Sequence, residues 1–462
     1  PSGVGKTSLV MEVCKPLAAQ GALFISGKFD QFQSNAPYKA FIKAFQDLIR
    51  QILTQSDSSL EKWKQKILSV LGANTRLIID VIPDLELITG PVEPVEELGP
   101  LEAQNRFNLT FRDFTRLFCG TEQVLIIFLD DLQWIDSGSL KLMEQIVTDS
   151  NMEYLLLIGG YRDNELEEGH PLFKLFAELK FKCKGLDRIL IPPLEQEYVL
   201  EMIADSLKAD QEQTASLADL VSSVTRGNPL YIVIFLKSLH AKGFIKFSTR
   251  RHKWEFDLQS INEFGFPDYI LELMVERIQL LSAETQQVLQ TASCIGDRFG
   301  LRPLAEVCSK SQREVLEILK DAIAADLVIA DSDKYKVIEQ GVSFSSLSME
   351  VEFSFTHDRI HQAVYSLLSP TDQHKTHYKV GEYLLENSPN QDEDIFDIVN
   401  HLNIGLGFKG DEAKLNQLVV LNLEAGKKAK ASTAYIQSFK YLKTAMDLLQ
   451  KDSWENKYDI TL

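Results

Sequence analysis

Uninterrupted or nearly uninterrupted apolar runs occur at Ala22 to Ser26, Val124 to Leu129, Tyr154 to Tyr161 and Ile189 to Ile191. Runs of this length read as strands buried on both faces, as a parallel sheet requires. The segments between them are long enough for helical crossovers, and strand–helix alternation predicts a doubly wound α/β domain. The clean run Val124 to Leu129 has six residues, and no run in the chain is much longer. A membrane-spanning helix needs about 20, so no segment is expected to cross a bilayer.

Downstream the period changes. From Glu195 to about Lys246 apolar residues recur at helical spacing, as in Val199, Ile203 and Leu207, then Leu217, Leu220 and Val224. Lys253-Trp254-Glu255-Phe256 alternates as a strand, paired as a hairpin with a strand near Phe244 to Lys246, and Gly265 and Pro267 mark a linker. From Tyr269 to about Leu368 helices precede two short strands, Val328 to Ala330 and Val351 to Phe355, and a further helix. Helices followed by a hairpin predict a winged helix. From Lys375 onward the pattern is helical, with Ala425, Ala429, Ala431, Ala434, Tyr441, Leu442, Ala445, Leu448 and Leu449 at near-helical spacing, as in a tetratricopeptide-like helical array.

Composition bounds this picture. The chain has 462 residues, 45% hydrophobic and 25% charged, as in a soluble globular protein of two to four domains. With 48 basic and 66 acidic side chains its net charge is −18, which argues against general nucleic-acid binding. The five cysteines are scattered without a CxxC pair, which fits a reducing cytoplasm and excludes a disulfide scaffold and a cysteine zinc site.

The chemistry starts at the first residues. Ser2-Gly3-Val4-Gly5-Lys6-Thr7-Ser8 completes a G-x-x-x-x-G-K-[ST] phosphate loop whose first glycine would stand just before Pro1. With no initiator Met and no strand upstream, a fragment of a longer polypeptide, cut inside its loop, is expected. Gly3 and Gly5 can take positive φ and turn backbone N–H groups inward as an anion nest. The following helix, about Lys6 to Gln20, would set its positive end on the phosphates. In this motif Lys6 reaches the β- and γ-phosphates of ATP and the Thr7 hydroxyl ligates Mg²⁺. The Val124–Leu129 run ends in Asp130 and Asp131, at the carboxyl edge where α/β sheets bind ligands. In a P-loop enzyme Asp130 would hold Mg²⁺ and Asp131 would polarise the attacking water as general base. Arg162, at the next strand's end, is placed either to sense the γ-phosphate or to pair at the surface with Asp163.

These residues resemble a known family. Asp130-Asp131-Leu132-Gln133-Trp134-Ile135-Asp136 resembles the extended acidic motif of signal-transduction ATPases with numerous domains (STAND), switch-type relatives of the AAA+ ATPases. Arg226-Gly227-Asn228-Pro229 resembles their G-x-P motif, which implies a lid helix that sets Pro229 beside the nucleotide base. Phe24 to Phe32, Gln104 to Leu109 and Phe355 to Ile360 are similar to the ATPase region of large bacterial hybrid kinases. There the ATPase lies between a serine/threonine kinase domain and C-terminal GAF and histidine-kinase domains. The resemblance runs the length of the chain. It implies a slow regulatory P-loop ATPase that switches between ATP and ADP, coupled to flanking kinase and sensor domains of one polypeptide and to protein partners through the helical repeats. The expected domains are an ATPase core (1–194), a helical lid (195–264), a winged-helix-like domain (265–370) and a tetratricopeptide-like region (371–462).

Alternatives remain open at this point. A nucleotide-stabilised scaffold would bind ATP without turnover. A DNA-binding regulator would use the winged helix, although its candidate helix Ser311 to Ala324 carries Glu314, Glu317 and Asp321. His357 and His361, at i and i+4 around Asp358, mimic a zincin helix. Their acid is one methylene short and no third ligand stands at motif spacing, so helix packing is the expected role.

Overall fold

The computed structural model describes residues 2–331 and 351–449, apart from 30–36, 97, 122, 167–168, 183–184, 265–269, 389–390, 407–411 and 432–433. Asp30 to Phe32 of the resembling motif and the linker residues Gly265 and Pro267 lie outside that set. The chain forms two compact units: Thr7–Ile189 with Ser388–Asn403 and Gly410–Leu462, and Leu190–Asn387 with Pro1–Lys6 and Ile404–Lys409.

The first unit is built on a parallel sheet of β1 (Leu23–Lys28), β2 (Leu125–Asp130) and β3 (Leu155–Gly159), in that order. Register places Leu23 beside Leu125 and Leu125 beside Leu155. All six residues of β2 are buried, which is why its sequence is an unbroken apolar run. The fourth expected strand is not formed: Ile189 to Ile191 joins no ladder, and Ile189 and Leu190 are 81% and 68% exposed. Apolar composition makes a strand only where a neighbour supplies backbone partners, and Pro192 and Pro193 next in the chain cannot donate to a ladder.

Gly27 shows why β1 can end where it does. A Cβ there would come within 2.2 Å of the Ala40 carbonyl oxygen, so only glycine lets the Lys39–Leu53 helix start against the strand. That helix packs through Phe41 and Phe45 onto Phe111, Phe114 and Phe118, all buried. Phe45 meets Phe111 edge-on at 5.2 Å between ring centroids, and Phe114 meets Phe118 likewise at 5.2 Å. Edge-to-face pairs add about 0.5–1.5 kcal/mol each beyond area burial.

The helices Gln391–Gly405, Glu412–Ala431 and Tyr435–Leu448 follow the helical expectation. Ala425, Ala429 and Ala434 are buried in the seam of the last pair, where Ser438 donates to the Gly426 carbonyl at 2.7 Å; Ala431 faces outward. Asn403 and Asn422 exchange amide hydrogen bonds at 3.0 and 2.9 Å, which sets the register of two of these helices. Asp397 pairs with Lys39 at 2.9 Å. One turn on, burial lowers the His401 pKa to about 4, Lys39 acting in the same direction and Asp397 opposing it. Between about pH 6.5 and 4 the unfolded chain therefore binds the proton that folded His401 refuses, and stability falls as pH falls through that window. Urea melts at pH 7 and pH 5 are expected to show this loss, and His401→Gln to reduce it; an unchanged pH slope in the variant would count against the assignment.

The second unit carries the helices Gln196–Leu207, Gln211–Thr225 and Pro229–Ala241, then the antiparallel hairpin of β4 (Ile245–Ser248) and β5 (Lys253–Phe256). The remaining strands are β6 (Arg298–Gly300), β7 (Val328–Ala330) and β8 (Glu352–Phe355), ordered β6–β8–β7, all antiparallel. β6 has only three residues and escapes periodicity. One continuous apolar core runs through Val199, Phe235, Leu289, Leu319, Phe353 and Val364, across the boundary drawn at 264. The helix Pro370–Asn387 also belongs to this unit, whereas Ser388–Asn403 and Gly410–Leu462 belong to the first. The Gln312–Ala324 helix starts where Ser311 and Glu314 form a capping box, so Glu314 is employed in holding the helix end. His361 is buried, with Nε2 at 2.8 Å from the Ser293 carbonyl and its ring against Phe355, the packing role expected of it. Among the described residues no group of three or more His, Cys, Asp or Glu is placed to hold a metal, and no helix is long and apolar enough to cross a membrane.

Candidate functional site

Each unit carries part of the motif set. In the first, Thr7 stands in the first turn of the Lys6–Ala19 helix and Asp130 is the last residue of β2. Although 123 positions apart, they meet: the Thr7 hydroxyl donates to Asp130 Oδ2 at 2.5 Å. A hydroxyl and a carboxylate side by side are an all-oxygen donor set, which fits a hard cation such as Mg²⁺. Gly160 makes room for this carboxylate, since a Cβ there would lie 2.5 Å from Asp130 Oδ1.

Asp131 leaves the strand in the left-handed region, with φ 56°. Leu132 N–H donates to the Gly160 carbonyl and Gly160 N–H to the Leu129 carbonyl, both at 2.8 Å, so the ends of β2 and β3 are stitched together. That stitching brings Arg162 to Asp131. Arg162 Nη2 lies 3.1 Å from Asp131 Oδ1, both side chains being about 5% exposed. Arg162 Nη1 pairs with Glu165 at 3.0 Å. Gln133 Nε2 donates to Asp131 Oδ1 at 2.9 Å and Glu165 Oε2 at 3.3 Å, and its Oε1 accepts from the Arg162 N–H at 3.2 Å. Lys28 Nζ, at the end of β1, stands 3.9 Å from Asp131. His170 Nε2 contacts the Gln133 carbonyl at 3.2 Å. Arg162 is thus a buried member of an ion-pair ring, and its alternative as a surface partner of Asp163 does not hold.

Asp136 ends the acidic motif as a helix cap. Its carboxylate accepts from Ser139 N–H at 2.9 Å and Ser139 Oγ at 2.5 Å, and burial outweighs these bonds in raising its pKa. Its place is structural: it starts the Ser137–Thr148 helix directly behind the paired carboxylates.

In the second unit Gly3 and Gly5 have φ 79° and 93°, the left-handed values expected of a phosphate nest. Val4 is buried, Lys6 is half-buried, and Thr7 and Ser8 are exposed at the helix start. The residues before Lys6 are held by the segment at Arg226–Pro229. Asn228 Nδ2 donates to the Ser2 carbonyl at 2.9 Å, while its Oδ1 accepts from Leu230 N–H at 3.1 Å as the N-cap of the Pro229–Ala241 helix. Leu230 N–H also reaches the Gly3 carbonyl at 3.3 Å. Pro229 occupies the first helical position, where its missing N–H costs nothing. A Cβ on Gly3 would strike the Leu230 Cβ at 2.7 Å, so glycine is needed there for space as well as for φ. The site residues absent from the sequence expectation are Lys28, Gln133, Glu165, His170 and Asn228. Asn228 had a readable signal, Asn before Pro at a helix start; Lys28 and Gln133 stand inside resembling motifs that gave them no role, and Glu165 and His170 had no signal, because their partners are tertiary.

The AAA ATPase domain profile matches residues 1–158. The chain is 30% identical to hybrid signal transduction histidine kinase G of Dictyostelium discoideum, over 99% of this chain and 16% of that protein. It is 19% identical to peroxide stress-activated histidine kinase mak3 of Schizosaccharomyces pombe, over 92% of this chain and 19% of that one. The chain therefore spans less than a fifth of the length of these relatives. Among solved structures, a signal transduction ATPase with numerous domains and a tetratricopeptide repeat sensor, from Pyrococcus horikoshii, aligns with 97% of this chain and 55% of that one at 13% identity and TM-score 0.43. The two kinases come from a slime mould and a yeast, so a bacterial origin has no support from them. Residues 1–158 thus match the AAA ATPase domain, and the chain is similar over nearly its whole length to a segment of a hybrid histidine kinase.

Proposed function

We propose that the chain is an ATP-binding, slowly hydrolysing regulatory switch within a larger signalling kinase, coupled to flanking kinase and sensor domains and, through its C-terminal helices, to protein partners. The observation that carries this reading is the meeting of Thr7 with Asp130 beside the Asp131–Arg162 pair. The backbone N–H groups of Gly3 to Lys6 and the Lys6 ammonium bind the phosphates, Ser8 and Val4 complete the loop, and Pro229 lies beside the base. Thr7 and Asp130 would hold Mg²⁺, which would supply positive charge to offset that of the phosphates. Asp131 accepts the proton of the attacking water, and Arg162 reads the γ-phosphate. Because Asp131 is engaged by Arg162 and Gln133, water activation requires the ring to open first, which accounts for slow turnover.

The test is ATP titration by calorimetry with Mg²⁺ alongside phosphate release, on the parent and on Asp131→Asn. Binding retained with turnover lost, by about two orders of magnitude or more, is the expected result. Binding without measurable turnover in either protein would favour a non-catalytic scaffold, and turnover unaffected by Asp131→Asn would remove Asp131 as the base.

A further inference from the structure

Arg162 has a carboxylate on each side of its guanidinium. Nη2 bonds the two Asp131 oxygens at 3.1 and 3.3 Å, and Nη1 the two Glu165 oxygens at 3.0 and 3.4 Å. We infer that Glu165 is a positioning residue that competes with the γ-phosphate for Arg162 and so sets how strongly the site distinguishes ATP from ADP. This rests on the proposal that Arg162 reads the γ-phosphate.

The two carboxylates are not equivalent. Asp131 is 4% exposed and held additionally by Gln133 Nε2 at 2.9 Å and Lys28 at 3.9 Å. Moving it would leave a buried charge unpaired, which is strongly unfavourable. Glu165 has the most exposed side chain of the pair, 17%, and its further contact with Gln133 is the longer one at 3.3 Å. On leaving it regains water. A phosphoryl group offers a guanidinium the same planar two-oxygen recognition as a carboxylate, with more charge. An incoming γ-phosphate therefore exchanges with Glu165 and leaves the Asp131 edge in place. ADP has no group to make the exchange. The Arg162–Glu165 bond is thus a conformational tax levied on ATP and not on ADP, in the sense that a fractionally populated competent state raises the apparent Kd.

Chain geometry supports the exchange. Asp163 to Glu165 form a single short helical turn directly after Arg162, so the residue that holds the arginine lies on the loop that positions it. Glu165 stands on this short turn, whereas Asp131 follows directly on the end of β2.

The experiment measures ATP and ADP affinities by calorimetry with Mg²⁺ for the parent, Glu165→Gln and Glu165→Asp, each also in an Arg162→Ala background. Glu165→Gln is expected to tighten ATP by about five-fold, within the usual range of coupling energies, and to leave ADP unchanged. Glu165→Asp keeps the charge but shortens the reach, so it too is expected to tighten ATP. In the Arg162→Ala background neither substitution should alter the ATP-to-ADP ratio. Equal tightening of both nucleotides, or an effect that persists without Arg162, would mean that Glu165 acts only by charge repulsion and overturns the inference. So does an unchanged ratio in variants whose melting temperatures match the parent. Failure of the parent itself to bind ATP overturns the nucleotide reading and this one together, whereas parent binding with an unchanged ratio overturns this one alone.

Discussion

ATP with Mg²⁺ titrated into Lys6→Ala is expected to give at least a 100-fold loss of affinity, with little or no heat at concentrations that saturate the parent. The motif assigns this ammonium to the two terminal phosphates, and a charge-assisted hydrogen bond is worth about 1.5–3 kcal/mol. Two such bonds lost correspond to about two decades or more in Kd, at 1.4 kcal/mol per decade. Lys6 is half-buried at the first position of the Lys6–Ala19 helix, where the positive helix end reinforces it, so its removal weakens the charge presented to the phosphates at its strongest point. The control is Lys15→Ala, which removes the same charge from an exposed site on the same helix, where Lys15 pairs with Glu12. Its affinity should match the parent's. Equal binding by Lys6→Ala and parent would sink the site assignment, and equal losses in both variants would reduce the effect to net charge.

The second large effect is on stability. Gly227→Ala is expected to destabilise the second unit by about 3 kcal/mol or more, lowering its melting temperature by roughly 5–10 °C. Gly227 has φ 73°, a region that costs an ordinary residue about 1–2 kcal/mol. Its missing Cβ would also lie 2.1 Å from the Leu194 carbonyl oxygen, which is backbone and cannot turn aside. To relieve that overlap the chain must give up the bond from Leu194 N–H to the Gly227 carbonyl, 2.7 Å long. Asn228 follows directly, and its amide ties the Pro229–Ala241 helix to Ser2, so the same substitution should also weaken ATP binding. Gly120→Ala provides the comparison: a Cβ there meets nothing within 4 Å, and stability should change by no more than about 0.5 kcal/mol. A Gly227→Ala protein that melts with the parent would mean that the tight turn before the helix is not needed.

The relation between nucleotide and ion-pair ring gives the two sets of experiments a common logic. On the proposed reading, Lys6 and Thr7 decide whether ATP binds, Glu165 sets how much of the binding energy goes into opening the ring, and Asp131 becomes available once it has opened. A switch of this kind needs a bistable element whose two states bind the nucleotide differently. On the same reading Arg162, with Glu165 and the γ-phosphate as competing partners, is such an element.

Much of the first unit was legible in the sequence because its signals are local. Val124 to Leu129 is apolar at every position since β2 is buried on both faces, and the two acids after it mark the carboxyl edge of a parallel sheet. The phosphate loop is readable because each residue type there meets a backbone or ligand requirement of its own: Gly3 and Gly5 for φ, Lys6 for charge, Thr7 for a hydroxyl. The pairing of Thr7 with Asp130 across 123 positions follows from the two motifs together. Tertiary structure decided the rest. Ile189 to Ile191 has a strand's composition and forms none, because a ladder depends on a neighbour and not on the residues themselves. Arg162 was legible as a strand-end arginine, but its partners were not: Asp131 lies 31 positions back, the motif around Gln133 does not say what that side chain binds, and Glu165 carries no motif. Ion pairs between elements depend on where strand ends are brought together, and that is settled only when β2 and β3 align. The sequence by itself thus determined the chemistry available, a phosphate loop and two carboxylates on an α/β sheet. Which carboxylate is restrained, and by which arginine, was decided by packing, because the energy of a buried charge depends on what stands beside it rather than on its neighbours in the chain.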